Sequence, residues 1–167
     1  MNHRHPTGRN TGTKAQKAAL VVGGAFLVVG VLGFIPGFTT DYDQMAFAGS
    51  HSGAMLLSVF AVSVLHNIVH LAFGVAGLVF ARTWSTARGY LVGGGVIYLL
   101  LWMYGVLVDH GSGGNFVPLN EADNWLHLVL GVGMFTLGVL LSGERRHDLF
   151  SEFEGPATRS RTTARTM

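Results

Sequence analysis

Three histidines and two asparagines interrupt runs of this chain that are otherwise apolar: His66, Asn67 and His70 in one, Asn124 and His127 in another. Imidazole and carboxamide groups need hydrogen-bond partners that hydrocarbon does not offer, so in an apolar helix they face an interior. At helical spacing Asn67, His70, Gly74 and Gly77 form one stripe, and Asn124, His127, Gly131 and Gly138 form another. Three chemistries suit these residues. In the first, each side chain bonds across a helix interface and fixes register, making Asn67, His70, Asn124 and His127 a bundle-interior polar seam that needs no cofactor. In the second, His70 and His127 meet around a metal ion or a non-covalent haem, with His66, one turn above His70, as a third ligand. In the third, His66, His70 and His127 relay protons or line a small-solute pathway. No carboxylate is expected beside them inside a span, which weakens the second and third readings and puts the seam first.

The elements that carry these residues are four apolar stretches, 18–35, 64–81, 90–108 and 121–141, each about long enough to cross a bilayer. A chain of 167 residues that is 49% hydrophobic and only 12% charged, with 24 glycines, lacks the polar surface of a water-soluble globule. Its eleven Lys and Arg residues all fall on one side of the implied membrane. Arg4, Arg9, Lys14 and Lys17 precede the first stretch; Arg82 and Arg88 separate the second and third; Arg145, Arg146, Arg159, Arg161 and Arg165 follow the fourth. Positive residues resist translocation, so both termini and the middle loop are expected in the cytoplasm. Basic residues placed singly or in pairs beside apolar spans mark topology and lipid contact, and argue against nucleic-acid binding. The first stretch is too long for a secretory signal core, and Ala46-Phe47-Ala48 lies too far beyond it to be a cleavage site. With no Cys, thiolate metal sites and covalent haem attachment are excluded.

The chain also resembles itself. Asn67-Ile68-Val69-His70-Leu71 with Gly74-Val75 returns as Asn124-Trp125-Leu126-His127-Leu128 with Gly131-Val132. Upstream, Ser63 aligns with Asn120, both good N-caps, and His66 with Asp123 in the capping-box position. The odd stretches match more weakly, Gly24-Ala25-Phe26-Leu27 against Gly95-Val96-Ile97-Tyr98. The expected fold is an all-α membrane protein, a four-transmembrane-helix bundle built from two parallel-repeat helical hairpins about a pseudo-twofold along the membrane normal. Around this domain, 18–143, lie a disordered cytoplasmic leader, 1–17, and a basic cytoplasmic tail, 144–167. Residues 53–62 read as an interfacial segment or an extension of the second helix. Asp41, Asp43, His51, Asp109 and His110 belong to outer loops, as solvated residues, caps or a weak cation site over the bundle mouth, and 109–114 is a turn. Tyr98, Trp102 and Tyr104 are packing or interfacial aromatics with the option of stacking on a planar cofactor, and Trp125 is an interfacial anchor. No hydrolase, nucleotide-binding or zinc-protease motif is present, so no catalytic residue is assigned and an enzyme is not expected.

Gly30-Val31-Leu32-Gly33-Phe34-Ile35-Pro36-Gly37, the segment Val62 to Leu71 and the segment Asn120 to His127 together resemble a bacterial membrane family catalogued as domain of unknown function 4383. The likeness covers roughly 18–143. It implies four spans in a bacterial cytoplasmic membrane and carries no assigned activity. The partners expected are the lipid bilayer, a second copy or another membrane protein, and the leading function is a non-enzymatic scaffold or accessory role.

Overall fold

The computed structural model describes residues 12–141. They are mostly helical: α1 Lys14–Leu32, α2 Val64–Phe80, α3 Trp84–Leu107 and α4 Glu121–Leu140. Helices α1, α3 and α4 are long and apolar enough to cross a membrane, and α2 is apolar but shorter, at 17 residues. Such surfaces fit a bilayer environment. Each helix starts on a side-chain cap: Thr13, Ser63, Thr83 and Asn120 accept from the third backbone N–H of their helices.

The caps move two boundaries from their expected places. Thr13 and Gln16 form a reciprocal capping box, so α1 begins at Lys14, inside the stretch expected to be leader. The rest of that leader, 1–11, and the basic tail lie outside the described residues. Thr83 likewise starts α3 at Trp84, which places Arg88 on the helix instead of in a loop. These early turns fasten the helices in pairs at the end of the bundle away from the α1–α2 connection. Gln16 Nε2 donates to Ala81 O (3.0 Å) and Arg82 O (2.9 Å) at the end of α2. Arg88 Nε donates to Gly138 O (3.2 Å) and Trp84 Nε1 to Leu141 O (3.3 Å) at the end of α4. Both sets satisfy terminal carbonyls that a helix leaves unbonded.

Helix α1 packs most extensively on α2, and α3 on α4, while α1 and α3 meet across the centre. Glycine allows the close approaches. A Cβ on Gly23 would lie 3.0 Å from Gly74 O, and one on Gly95 would lie 2.9 Å from Gly131 O. Between the two pairs, Phe26 of α1 stacks on Tyr98 of α3, with ring centres 5.3 Å apart and planes within 17°. The core around them includes Leu91 and Met134.

The connection between α1 and α2 departs from the all-α expectation. It forms a small antiparallel sheet of β1 Thr39–Thr40, β2 Met55–Leu56 and β3 Phe60–Ala61 in that order. Thr39 pairs with Leu56, and Leu56 with Phe60. Residues 53–62 are thus a β-hairpin, and neither extend α2 nor form an interfacial helix. Three of their apolar side chains point inward, Ala54, Leu56 and Val62, and make a second core cluster against Val29 and Leu32, while Leu57 and Val59 are exposed. The hairpin turns through Leu57 and Ser58 at φ of 52° and 59°, closed by Val59 N donating to Leu56 O (3.1 Å). Left-handed backbone is costly for residues other than glycine.

Candidate functional site

The Ser63 hydroxyl accepts from His66 N (3.1 Å), fixing the first turn of α2 and placing His66 and His70 one turn apart on one face. Their ring centres are 4.6 Å apart, and His127 of α4 stands 6.3 Å from His66. Each outer member of the trio rests on an aromatic ring of the central pair. His70 stacks on Phe26 at 5.7 Å, and His127 lies 5.3 Å from Tyr98. The Phe26–Tyr98 stack therefore forms a floor beneath the histidines. All three are more than nine-tenths buried, and the Nδ1 atom of each has no hydrogen-bond partner.

A carboxylate joins them. Asp123 is 2% exposed and, with His66, His70 and His127, lines a cavity of about 80 Å³. Its placement follows from the N-terminus of α4. Asn120 Oδ1 accepts from Asp123 N (2.9 Å), while Asp123 Oδ2 accepts from Asn120 N (3.0 Å) and from Ala61 N of β3 (3.0 Å). Asn120 Nδ2 also donates to Val59 O (2.8 Å), so α4 is stitched to the hairpin. Leu56, Leu57, Phe60 and Val62 roof the cavity. The expectation that no acid stands near the histidines is corrected here: Asp123 caps its helix and faces the interior together. Its alignment with His66 was the available signal.

The asparagines sit differently. Asn124 Nδ2 donates to Gly105 O (3.0 Å), and His110 Nε2 contacts the same carbonyl at 2.9 Å and Asn124 Nδ2 at 3.4 Å. Asn67 is fully buried against Gly33, with neither amide atom hydrogen-bonded. A Cβ at Gly33 would overlap the Asn67 amide, and one at Gly105 would overlap Asn124. Further up, Leu27 packs on Gly74 as Leu99 packs on Gly131.

The remaining outer groups do not assemble. Asp41, Asp43 and His51 are exposed, and Asp109 Oδ1 accepts from Gly111 N (3.0 Å) within its turn. Tyr98 belongs to the core, the Tyr104 hydroxyl donates to Gly114 O, and Trp125 is 67% exposed at the outer end of α4. Trp102 lines an outer cleft of about 470 Å³ with His110 and Glu121. With the side chains as they stand, no three His, Asp or Glu residues among those described converge to hold a metal ion. The cavity beside His70 and His127 has no room for a porphyrin.

A third cavity, between α2 and α3 and facing away from the bundle interior, is a groove of about 610 Å³ lined by the small residues Ala72, Ala76, Gly89 and Gly93 and by larger ones that include Phe73, Phe80 and Tyr90. A Cβ at Gly89 or Gly93 would meet nothing within 4 Å. These glycines face outward, unlike Gly95.

A family model described as "Domain of unknown function (DUF4383)" matches residues 16–140. No curated protein and no solved structure matches the chain.

Proposed function

The chain belongs to the DUF4383 family, and we propose that it is a non-enzymatic accessory protein of a bacterial cytoplasmic membrane, self-associating through α2 and α3. Four spans place both termini and the α2–α3 connection in the cytoplasm, where Arg82 and Arg88 stand; the α3–α4 connection and the sheet lie outside. The 17 residues of α2 reach across about 26 Å, short of the average hydrocarbon core but within what local thinning accommodates.

Two parallel repeats build this bundle, and four pairs of contacts support them. Phe26 against His70 corresponds to Tyr98 against His127, and Leu27 against Gly74 to Leu99 against Gly131. Gly33 against Asn67 corresponds to Gly105 against Asn124, and Gln16 on Ala81 O to Arg88 on Gly138 O. All four share one offset for the odd helices and one for the even. They align Phe26 with Tyr98 and Gly23 with Gly95, one residue away from the sequence alignment of Gly24 with Gly95.

The observation that carries the accessory role is the outward small-residue face. Gly89 and Gly93 on α3, with Ala72 and Ala76 on α2, give a groove with the four-residue spacing that lets membrane helices approach backbone to backbone. A helix of a second copy is the occupant. Interior polar groups serve the bundle: Asn124 bonds Gly105 O, and Asn67 packs on Gly33. Two measurements on the full chain test the reading. Energy transfer between labelled copies in liposomes is expected to fall when Gly93→Leu fills the groove, while Gly133→Leu, also on an open face, leaves it unchanged. Equal transfer in both variants defeats the self-association. A Cys at Ser112 should react with an impermeant thiol reagent in intact cells and one at Thr86 should not; the reverse pattern overturns the orientation.

A further inference from the structure

Three histidines with unbonded ring nitrogens and a carboxylate residue lining one cavity are more than a packing seam requires. We propose that His66, His70, His127 and Asp123 form a binding site for a single divalent transition-metal ion, roofed by the β2–β3 hairpin. Buried polar atoms in folded proteins are nearly always bonded, because leaving one unmet forfeits its hydration without return. Here the Nδ1 atoms of His66, His70 and His127 are all unmet, and all three residues line the same cavity of about 80 Å³. A hydrophobic side chain at any of these places would pack without that cost.

The donor set selects the ligand. Neutral imidazoles with one carboxylate suit zinc, copper, nickel or ferrous iron, and suit magnesium or calcium poorly. Two histidines four residues apart on a helix are a chelating pair, as in helical zinc sites. Metal–nitrogen bonds of about 2 Å in a tetrahedral arrangement put the ring centres roughly 5 Å apart. The observed 4.6 Å and 6.3 Å fall on either side of that value. Ligation therefore needs the rings to turn and His127 to approach His66 by about 1 Å, because as oriented the donors do not converge.

The surroundings hold the donors as supports around a metal do. Both bonds to Asp123, from Ala61 N and Asn120 N, fall on Oδ2, which anchors the carboxylate through one of its two oxygens. Phe26 and Tyr98 back the rings of His70 and His127. The cavity takes one ion and no organic cofactor. Leu57, in left-handed backbone at the hairpin tip, forms part of the roof, so the segment an ion would pass is the strained one.

The test is Co²⁺ titration of untagged full-length protein in detergent, followed by competition with Zn²⁺. One Co²⁺ per chain with the intense visible bands of a four-coordinate site is expected, displaced by Zn²⁺. His66→Gln and His127→Gln, which keep a polar side chain of similar size, should each weaken binding at least about a hundredfold. Asp123→Asn, which retains an oxygen for the cap, should weaken it too, and His51→Ala in the outer loop should not. Size exclusion and circular dichroism establish that each variant is folded; should a glutamine variant unfold, the His70→Gln variant takes its place. No binding, or weak pale-pink binding insensitive to the His66 and His127 changes, overturns the site.

Discussion

Helix α3 contains three consecutive glycines whose surroundings differ in kind, and alanine at each measures how closely α3 and α4 are held. A Cβ at Gly93 meets nothing within 4 Å; at Gly94 it falls 2.5 Å from the Cε methyl of Met134; at Gly95 it falls 2.5 Å from Phe135 N and 2.9 Å from Gly131 O. All three substitutions share one favourable contribution, because replacing glycine by alanine inside a helix gains roughly 0.5–1 kcal/mol. They differ in what must move. Nothing within the chain moves for Gly93, and the assay is run on protein diluted to the monomer so that the proposed second copy does not contribute. The Met134 methyl ends a flexible side chain and turns aside at little cost. The backbone of α4 can yield to Gly95→Ala only by translating the helix about 1 Å, an overpacking that costs typically 1–3 kcal/mol. Gly93→Ala is therefore expected neutral to stabilising by about 1 kcal/mol, Gly94→Ala near neutral, and Gly95→Ala destabilising by about 1–2 kcal/mol. Reversible unfolding of the purified protein in mixed micelles of rising sodium dodecyl sulfate fraction reads the three directly. Values within 0.5 kcal/mol of one another, or Gly93→Ala as the worst of the set, would refute the close backbone contact between α3 and α4.

The Asn67–Gly33 contact is read by a double-mutant cycle in the same assay. Gly33→Ala should destabilise the wild type and lose most of that effect in an Asn67→Ala background, a coupling of about 0.5–3 kcal/mol; additive effects would show that the Asn67 amide does not occupy the space beside Gly33. Ser58→Gly should raise stability by up to about 1 kcal/mol, since Ser58 is exposed at φ 59° and glycine removes the left-handed cost. A loss of stability in that variant would mean that the hairpin turn has another shape.

The apolar stretches and their caps were legible because both signals are local. The stripe of Asn67, His70, Gly74 and Gly77 follows from helical period alone, and all four are buried. Boundaries failed where a cap lay outside the apolar run. Thr13 and Thr83 start their helices in polar sequence, so α1 and α3 open earlier than hydropathy suggests. The hairpin over 55–61 left almost no mark: strands of two residues have no readable alternation, and Leu57-Ser58 lacks the Asn-Gly type of turn that announces a hairpin. Its strength comes from distant partners, the Asp123 carboxylate on Ala61 N and Asn120 on Val59 O.

That distant bonding also explains why the candidate site was only half visible. Asp123 stands in the first turn of α4 behind an N-cap, where an acid is commonplace and reads as solvated. A second element decides the matter: β3 covers the end of the bundle where α4 begins, and its Ala61 N–H draws the carboxylate beneath the roof. His66 and Asp123, aligned in sequence, both line one cavity, a placement that the proposed repeats would account for. At this aligned position the two helices present unlike donors, an imidazole and a carboxylate. The chamber is therefore asymmetric at that position, while His70 and His127, which also line it, are alike.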